Sequence, residues 1–127
     1  MWKYYNPNPA GNLTDDCLVR AICKATGKSW DEVYAWLYVV GFNLKKMVVT
    51  NTLWPEYLKG TGYVRQSIPD TCPDCYTVAD FAAEHPTGTY ILATGSHVVT
   101  VHDGDWYDTW DSGRETITAS WRRKNDG

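Results

Sequence analysis

One of the four cysteines stands where a thiol can become a nucleophile. Cys17 follows Thr14-Asp15-Asp16, a run of helix-capping side chains. It opens Cys17-Leu18-Val19-Arg20-Ala21-Ile22-Cys23-Lys24-Ala25-Thr26, which is apolar at helical spacing and stops at Gly27. Unpaired backbone N–H groups and the positive end of the helix dipole converge on a first helical residue. They favour thiolate over thiol, and the thiolate is the nucleophile. The same N–H groups can hold an oxyanion. Packing is the competing reading for any helical cysteine, and Cys23, in mid-helix on the apolar side, fits it better.

A cysteine nucleophile needs a base, and the chain has three histidines. His85 precedes Pro86 at a helix end and reads as a cap or surface group. His102 falls at a hairpin tip. His97 follows a Gly95-Ser96 turn and opens the apolar strand His97-Val98-Val99-Thr100-Val101. It is the candidate base, with a core or edge histidine as the alternative.

Hairpin parity selects the acid. A two-residue turn at Asp103-Gly104 would oppose His102 to Asp105, Val99 to Asp108 and His97 to Trp110. His97, Val99, Asp108 and Trp110 then share a sheet face, with Asp108 diagonal to His97 at about 7–8 Å between backbones. Such a carboxylate can fix the imidazole tautomer and favour the imidazolium. Its non-chemical alternative is a hydrogen bond to a Trp or Tyr. A bulged turn would instead bring Asp111 opposite His97. For the second oxyanion donor the nearest upstream amide is Asn12, with Asn8 and Asn6 in the same loop. Each also suits a turn.

Two further features compete. Cys72-Pro73-Asp74-Cys75 is a CxxC, but no second pair exists to complete a zinc site, and it lies in a loop rather than at a helix start. Loop thiols are the expectation. Arg20 lies three residues after Cys17 on nearly the same helix face. It can stabilise a thiolate, bind a substrate carboxylate, or pair with Asp16 or Asp31.

The elements that must position these groups are legible as a succession. The N-terminus through Leu13 is rich in Asn, Pro and Gly and reads as an extended loop. After the first helix, Ser29-Trp30-Asp31-Glu32 is a capping box for a second, with Val33, Trp36, Leu37 and Val40 as its apolar positions and Gly41 as its end. A third short helix is expected over Leu53 to Lys59, ended by Gly60. A strand over Tyr63 to Ser67, a loop over Ile68 to Cys75 and a helix over Thr77 to Glu84 follow. Strands are expected at Thr89 to Thr94, His97 to Val101, Asp105 to Trp110 and Thr116 to Trp121. Helices first and hairpins last give an α+β order, with 1–127 as a single domain.

The order Cys, His, Asp resembles the papain-like cysteine peptidase superfamily. The residues that carry the likeness are Asp16-Cys17 at a helix start and His97-Val98-Val99-Thr100-Val101 leading to Tyr107-Asp108. In size and layout the chain is similar to the short bacterial leader peptidases of bacteriocin transporters. Asp16-Cys17-Leu18-Val19-Arg20-Ala21 and Tyr107-Asp108-Thr109-Trp110-Asp111-Ser112-Gly113 also resemble small phage and prophage proteins. The resemblance covers the first helix and the last third. It implies a papain-like fold, N-terminal helices packed on a C-terminal antiparallel sheet. It also implies a thiol hydrolase cleaving a peptide or isopeptide amide through Cys17, His97 and Asp108, with no cofactor and no metal. Two departures stand out: no Gln precedes Cys17, and no Pro follows Asp108. The missing Gln supports a second expectation, a catalytically inactive papain-fold binding protein, for example a phage factor that blocks a host protein.

Composition narrows the partners. Net charge is −3, and the sole dense basic run, Arg122-Arg123-Lys124, sits at the chain end, so no nucleic-acid partner is expected. No apolar run approaches the ~18 residues of a membrane span, and no secretory h-region is visible. The expected location is therefore cytoplasmic, with the cysteines as thiols. A peptide or protein substrate is the expected partner. Oligomeric state is left open by the sequence.

Overall fold

The computed structural model describes residues 1–13, 15–47, 58–59 and 62–123. Within them lie three helices, α1 (Cys17–Thr26), α2 (Trp30–Leu44) and α3 (Val78–Glu84). The strands are β1 (Trp2–Tyr4), β2 (Tyr63–Ser67), β3 (Thr89–Ala93), β4 (Val98–His102), β5 (Asp105–Asp108) and β6 (Ala119–Arg123). The fold is mixed α+β, with one six-stranded sheet in the order β1-β5-β4-β3-β6-β2. Among the described residues no helix is long and apolar enough to cross a membrane.

The sheet departs from the expected C-terminal antiparallel one at both edges. The first residues are not loop: β1 pairs parallel with β5, Trp2 opposite Trp106 and Tyr4 opposite Asp108. Three residues give too little alternation to read as a strand, and the pairing joins the two ends of the chain. At the other edge β2 pairs antiparallel with β6. β5 stops at Asp108 rather than Trp110, and β6 starts at Ala119 rather than Thr116.

The two sheet faces carry different cores. Val19, Ile22 and Ala25 of α1 and Val33 and Leu37 of α2 pack with Ile91, Ala93, Val98 and Trp121. On the opposite face Val78, Phe81 and Ala82 of α3 pack with Leu92, Val99, Val101 and Ile117. The alternation of Ile91 and Leu92, and of Val98 and Val99, between the two is the period-two pleat. One polar tie runs through the first core: the Thr100 hydroxyl donates to the Ala21 carbonyl at 2.6 Å, which fixes α1 against β4.

Helix ends follow the sequence closely, with two exceptions. Ser29 and Glu32 form the reciprocal capping box of α2, and Thr77 and Asp80 form another at α3. Gly27 ends α1 in the left-handed region. α2, however, runs through Gly41, which is buried, and ends at Lys45 in the left-handed conformation. That glycine therefore sits inside the helix rather than at its end. Trp36, expected on the buried stripe, lies on the exposed side. Most of the expected Leu53–Lys59 helix lies outside the described residues; Leu58 and Lys59 are helical.

Ile22 is fully buried between α1 and the sheet. Ile22→Ala should therefore cost about 2–5 kcal/mol, read by chemical denaturation, because the cavity it leaves can collapse only in part.

Candidate functional site

The site forms where three elements meet at one end of the sheet: the start of α1, the turn into β4 and the end of β5. At α1 the first intrahelical bond runs from the Arg20 N–H to the Asp16 carbonyl at 2.9 Å. The N–H groups of Cys17, Leu18 and Val19 have no partner within the helix. Asp16 is the N-cap residue, but its side chain makes no capping hydrogen bond. It is buried and turned to Arg20 and to the Trp30 indole N–H, 2.9 Å from Oδ2.

His97 is held by a tight turn. Its N–H donates to Thr94 Oγ1 at 3.1 Å, and the Thr94 N–H donates to the His97 carbonyl at 2.9 Å. The β4–β5 hairpin has the expected two-residue turn. His102 opposes Asp105, Val101 opposes Trp106 and Thr100 opposes Tyr107. Asp103 and Gly104 both have positive φ, 49° and 82°, as the twist of a tight hairpin requires. That register brings Asp108 to His97: Oδ2 lies 2.6 Å from Nε2. Asp111 does not compete. Its Oδ1 accepts from the Trp106 indole at 2.9 Å and from the Gly113 N–H at 3.0 Å.

With Nε2 on Asp108, Nδ1 is the ring nitrogen left for the Cys17 thiol, whose ionisation His97 favours. Burial opposes ionisation of Cys17. The His97 hydrogen bond and charge, a backbone bond from Val98 and the charge of Arg20 outweigh it, so the thiol sits below its ordinary value of 9.0. Burial likewise works against charge on His97. The hydrogen bonds to Asp108 and Cys17 win and raise it to about 9. Asp108 is 1% exposed. Burial would raise its pKa, but His97 and Ser112 hold it below the usual carboxylate value. Together these shifts favour the charged forms, thiolate on Cys17 and imidazolium on His97, with a carboxylate behind the ring. Cys23, in contrast, is pushed up to about 12, by burial first and then by the charge of Asp16.

Asp108 is satisfied on every side. Oδ1 accepts from Arg20 Nη2 at 3.1 Å and from the Thr109 N–H at 2.8 Å, and Oδ2 accepts from the Ser112 hydroxyl at 2.8 Å. Trp110 leans over His97 with ring centroids 4.9 Å apart. Ser112, Thr109 and the indole of Trp30 carried no signal in the sequence, because nothing in their spacing from Cys17 or His97 marks them. The Asp16–Arg20 pair was visible as an i, i+4 spacing. Its bridge to Asp108 joins residues 88 apart and needs the fold.

Cys17 and His97 open on a cleft of about 1230 Å³. One wall is an aromatic ladder on α2: Trp30 stacks on Tyr34 at 4.7 Å, and Tyr34 meets Tyr38 at 4.6 Å. Arg65 and Trp121 line another side, and Asn12 and Asn8 lie at the loop side. The loop amides divide by function. Asn6 is committed within the loop, Oδ1 to the Asn8 N–H and Nδ2 to the Asn12 carbonyl. Asn8 Oδ1 caps the Ala10 N–H. Asn12 borders the cleft, and its side-chain amide makes no hydrogen bond among the described residues.

The CxxC is corrected from loop thiols to a bond: Cys72 and Cys75 form a disulfide, leaving Cys17 and Cys23 free. A bonded pair offers no thiolate to zinc. Among the described residues no group of three or more His, Cys, Asp or Glu side chains could hold a metal ion. Denatured, unreduced protein should accordingly offer only Cys17 and Cys23 to iodoacetamide, and reduction should add Cys72 and Cys75. Four labelled cysteines before reduction would refute the bond. No family model, no curated protein and no solved structure matches the chain.

Proposed function

We propose that the protein is a thiol hydrolase of papain-like type that cleaves a peptide or isopeptide amide. The observation that carries the reading is a cleft lined by both Cys17, at a helix start, and His97, with His97 bonded to the buried Asp108. Cys17 Sγ attacks the carbonyl carbon. The His97 imidazolium, its proton drawn from the thiol, then protonates the leaving amine. Water, deprotonated by the now neutral His97, cleaves the thioester, and the acid leaves with Cys17 restored. Asp108 keeps the ring oriented and stabilises its charged form. The Cys17 N–H at the helix start, with Asn12 as the candidate side-chain donor, faces the developing oxyanion.

Incubation with pools of peptides and isopeptide-linked conjugates, with new termini read by mass spectrometry, tests this. Cleavage that disappears in Cys17→Ala supports it. A second reading, a catalytically inactive binding protein on the same scaffold, is favoured by the absence of any Gln upstream of Cys17. It takes over if no amide in any pool is cut in a Cys17-dependent way.

A further inference from the structure

Arg20 is an unusual occupant of a helix face that packs on a sheet: a guanidinium 5% exposed. It bridges two carboxylates, Asp16 from the turn before α1 and Asp108 from β5. We infer that Arg20 is a positioning residue. It clamps Oδ1 of Asp108 so that Oδ2 is presented to His97, and it carries the counter-charge that lets the thiolate and imidazolium persist together. The inference rests on the hydrolase reading of Cys17, His97 and Asp108.

The geometry supports a division of labour within one carboxylate. Oδ1 takes Arg20 and the Thr109 N–H, and Oδ2 takes His97 and Ser112. A carboxylate held on one oxygen by a guanidinium N–H and a backbone N–H resists rotation about its terminal bond, so the other oxygen keeps its aim. Charge follows the same line. Asp108 is met by Arg20 from α1 and by His97 from the start of β4. Arg20 is met by Asp16 and Asp108. Cys17 is met by His97 and, through charge alone, by Arg20. From α2, Trp30 contributes an uncharged indole N–H to Asp16, and Asp16's charge reaches Cys23. Without Arg20, the buried carboxylates of Asp16 and Asp108 would lose the cation that bridges them.

The pH dependence of Cys17 alkylation by iodoacetamide, resolved from Cys23 by mass spectrometry, needs no substrate and tests the proposal. Arg20→Gln alone strands Asp16 and can fail to fold, so the variant of choice is Asp16→Asn/Arg20→Gln, which removes one charge of each sign, with folding checked by circular dichroism. Asp16→Asn alone is the control that keeps the Arg20–Asp108 pair. The expected result is a rise of the acid limb of alkylation by about one pH unit in the double variant, a roughly tenfold slower reaction at fixed acidic pH. The control should stay near wild type. Arg20→Lys should lie between, since an ammonium keeps the charge but not the fork. A folded double variant with an unmoved limb overturns the proposal. If the double variant does not fold, an unmoved limb in Arg20→Lys does so. An ordinary thiol limb in the wild type would instead overturn the hydrolase reading itself, so the two failures are distinguishable.

Discussion

His97→Ala should remove hydrolysis almost as completely as Cys17→Ala. Three effects act in the same direction. Cys17 loses the hydrogen bond and the charge that oppose burial, so the remaining forces push the thiol back up toward or beyond its ordinary range. The leaving amine loses its proton donor. The attacking water loses its base. General acid–base groups contribute about 10²–10⁴ in rate, and the lost thiolate adds to that. A fall in turnover of roughly 10³-fold or more is therefore expected, measured on any amide that the peptide pools identify. The ultraviolet absorbance of the thiolate should fall in parallel at neutral pH. A loss of less than about tenfold would mean that another group moves the proton.

Asp108→Ala should be the most destabilising single change in the site, at about 3–5 kcal/mol by chemical denaturation. The carboxylate is 1% exposed and answers Arg20, His97, Ser112 and the Thr109 N–H. Its removal takes one carboxylate from a buried guanidinium and leaves the Ser112 hydroxyl, itself fully buried, without this acceptor. A loss under about 1 kcal/mol would show that water or Asp16 absorbs the deficit.

The pH dependence of stability carries a further sign. His97 is raised from 6.5 to about 9, so its contribution is complete below 6.5 and is lost as pH rises through 9. Cys17 is lowered, so its contribution grows as pH rises toward 9. Between 6.5 and 9 the two trends oppose each other, so wild-type stability should slope less across that window than the His97 contribution alone would give. Cys17→Ala should lose stability across it, because the His97 trend stands alone. Equal slopes in the two proteins would contradict the ion pair.

Local signals in the chain specify much of this arrangement. Asp103-Gly104 alone sets the β4–β5 register, and parity then chooses Asp108 over Asp111. Ser29-Glu32 announces α2 because a capping box is a contact between near neighbours in sequence. What escaped sequence reading is non-local or depends on chemical state. β1 is strand because β5, a hundred residues away, offers an open edge. Gly41 sits inside α2 rather than at its end, against its weak local tendency to stop a helix. The Cys72–Cys75 bond contradicts the expectation drawn from an assumed reducing location. For Arg20 the spacing leaves Asp16 and Asp31 both open as partners, and the fold selects Asp16 and adds Asp108.

The most direct test of the central claim is competitive labelling of the native protein with limiting iodoacetamide at neutral pH, read by peptide mass spectrometry. Cys17 should be labelled ahead of Cys23, and His97→Ala should abolish that preference. Cys17 left unlabelled in the folded wild type, or labelled as fast without His97 as with it, would contradict the account.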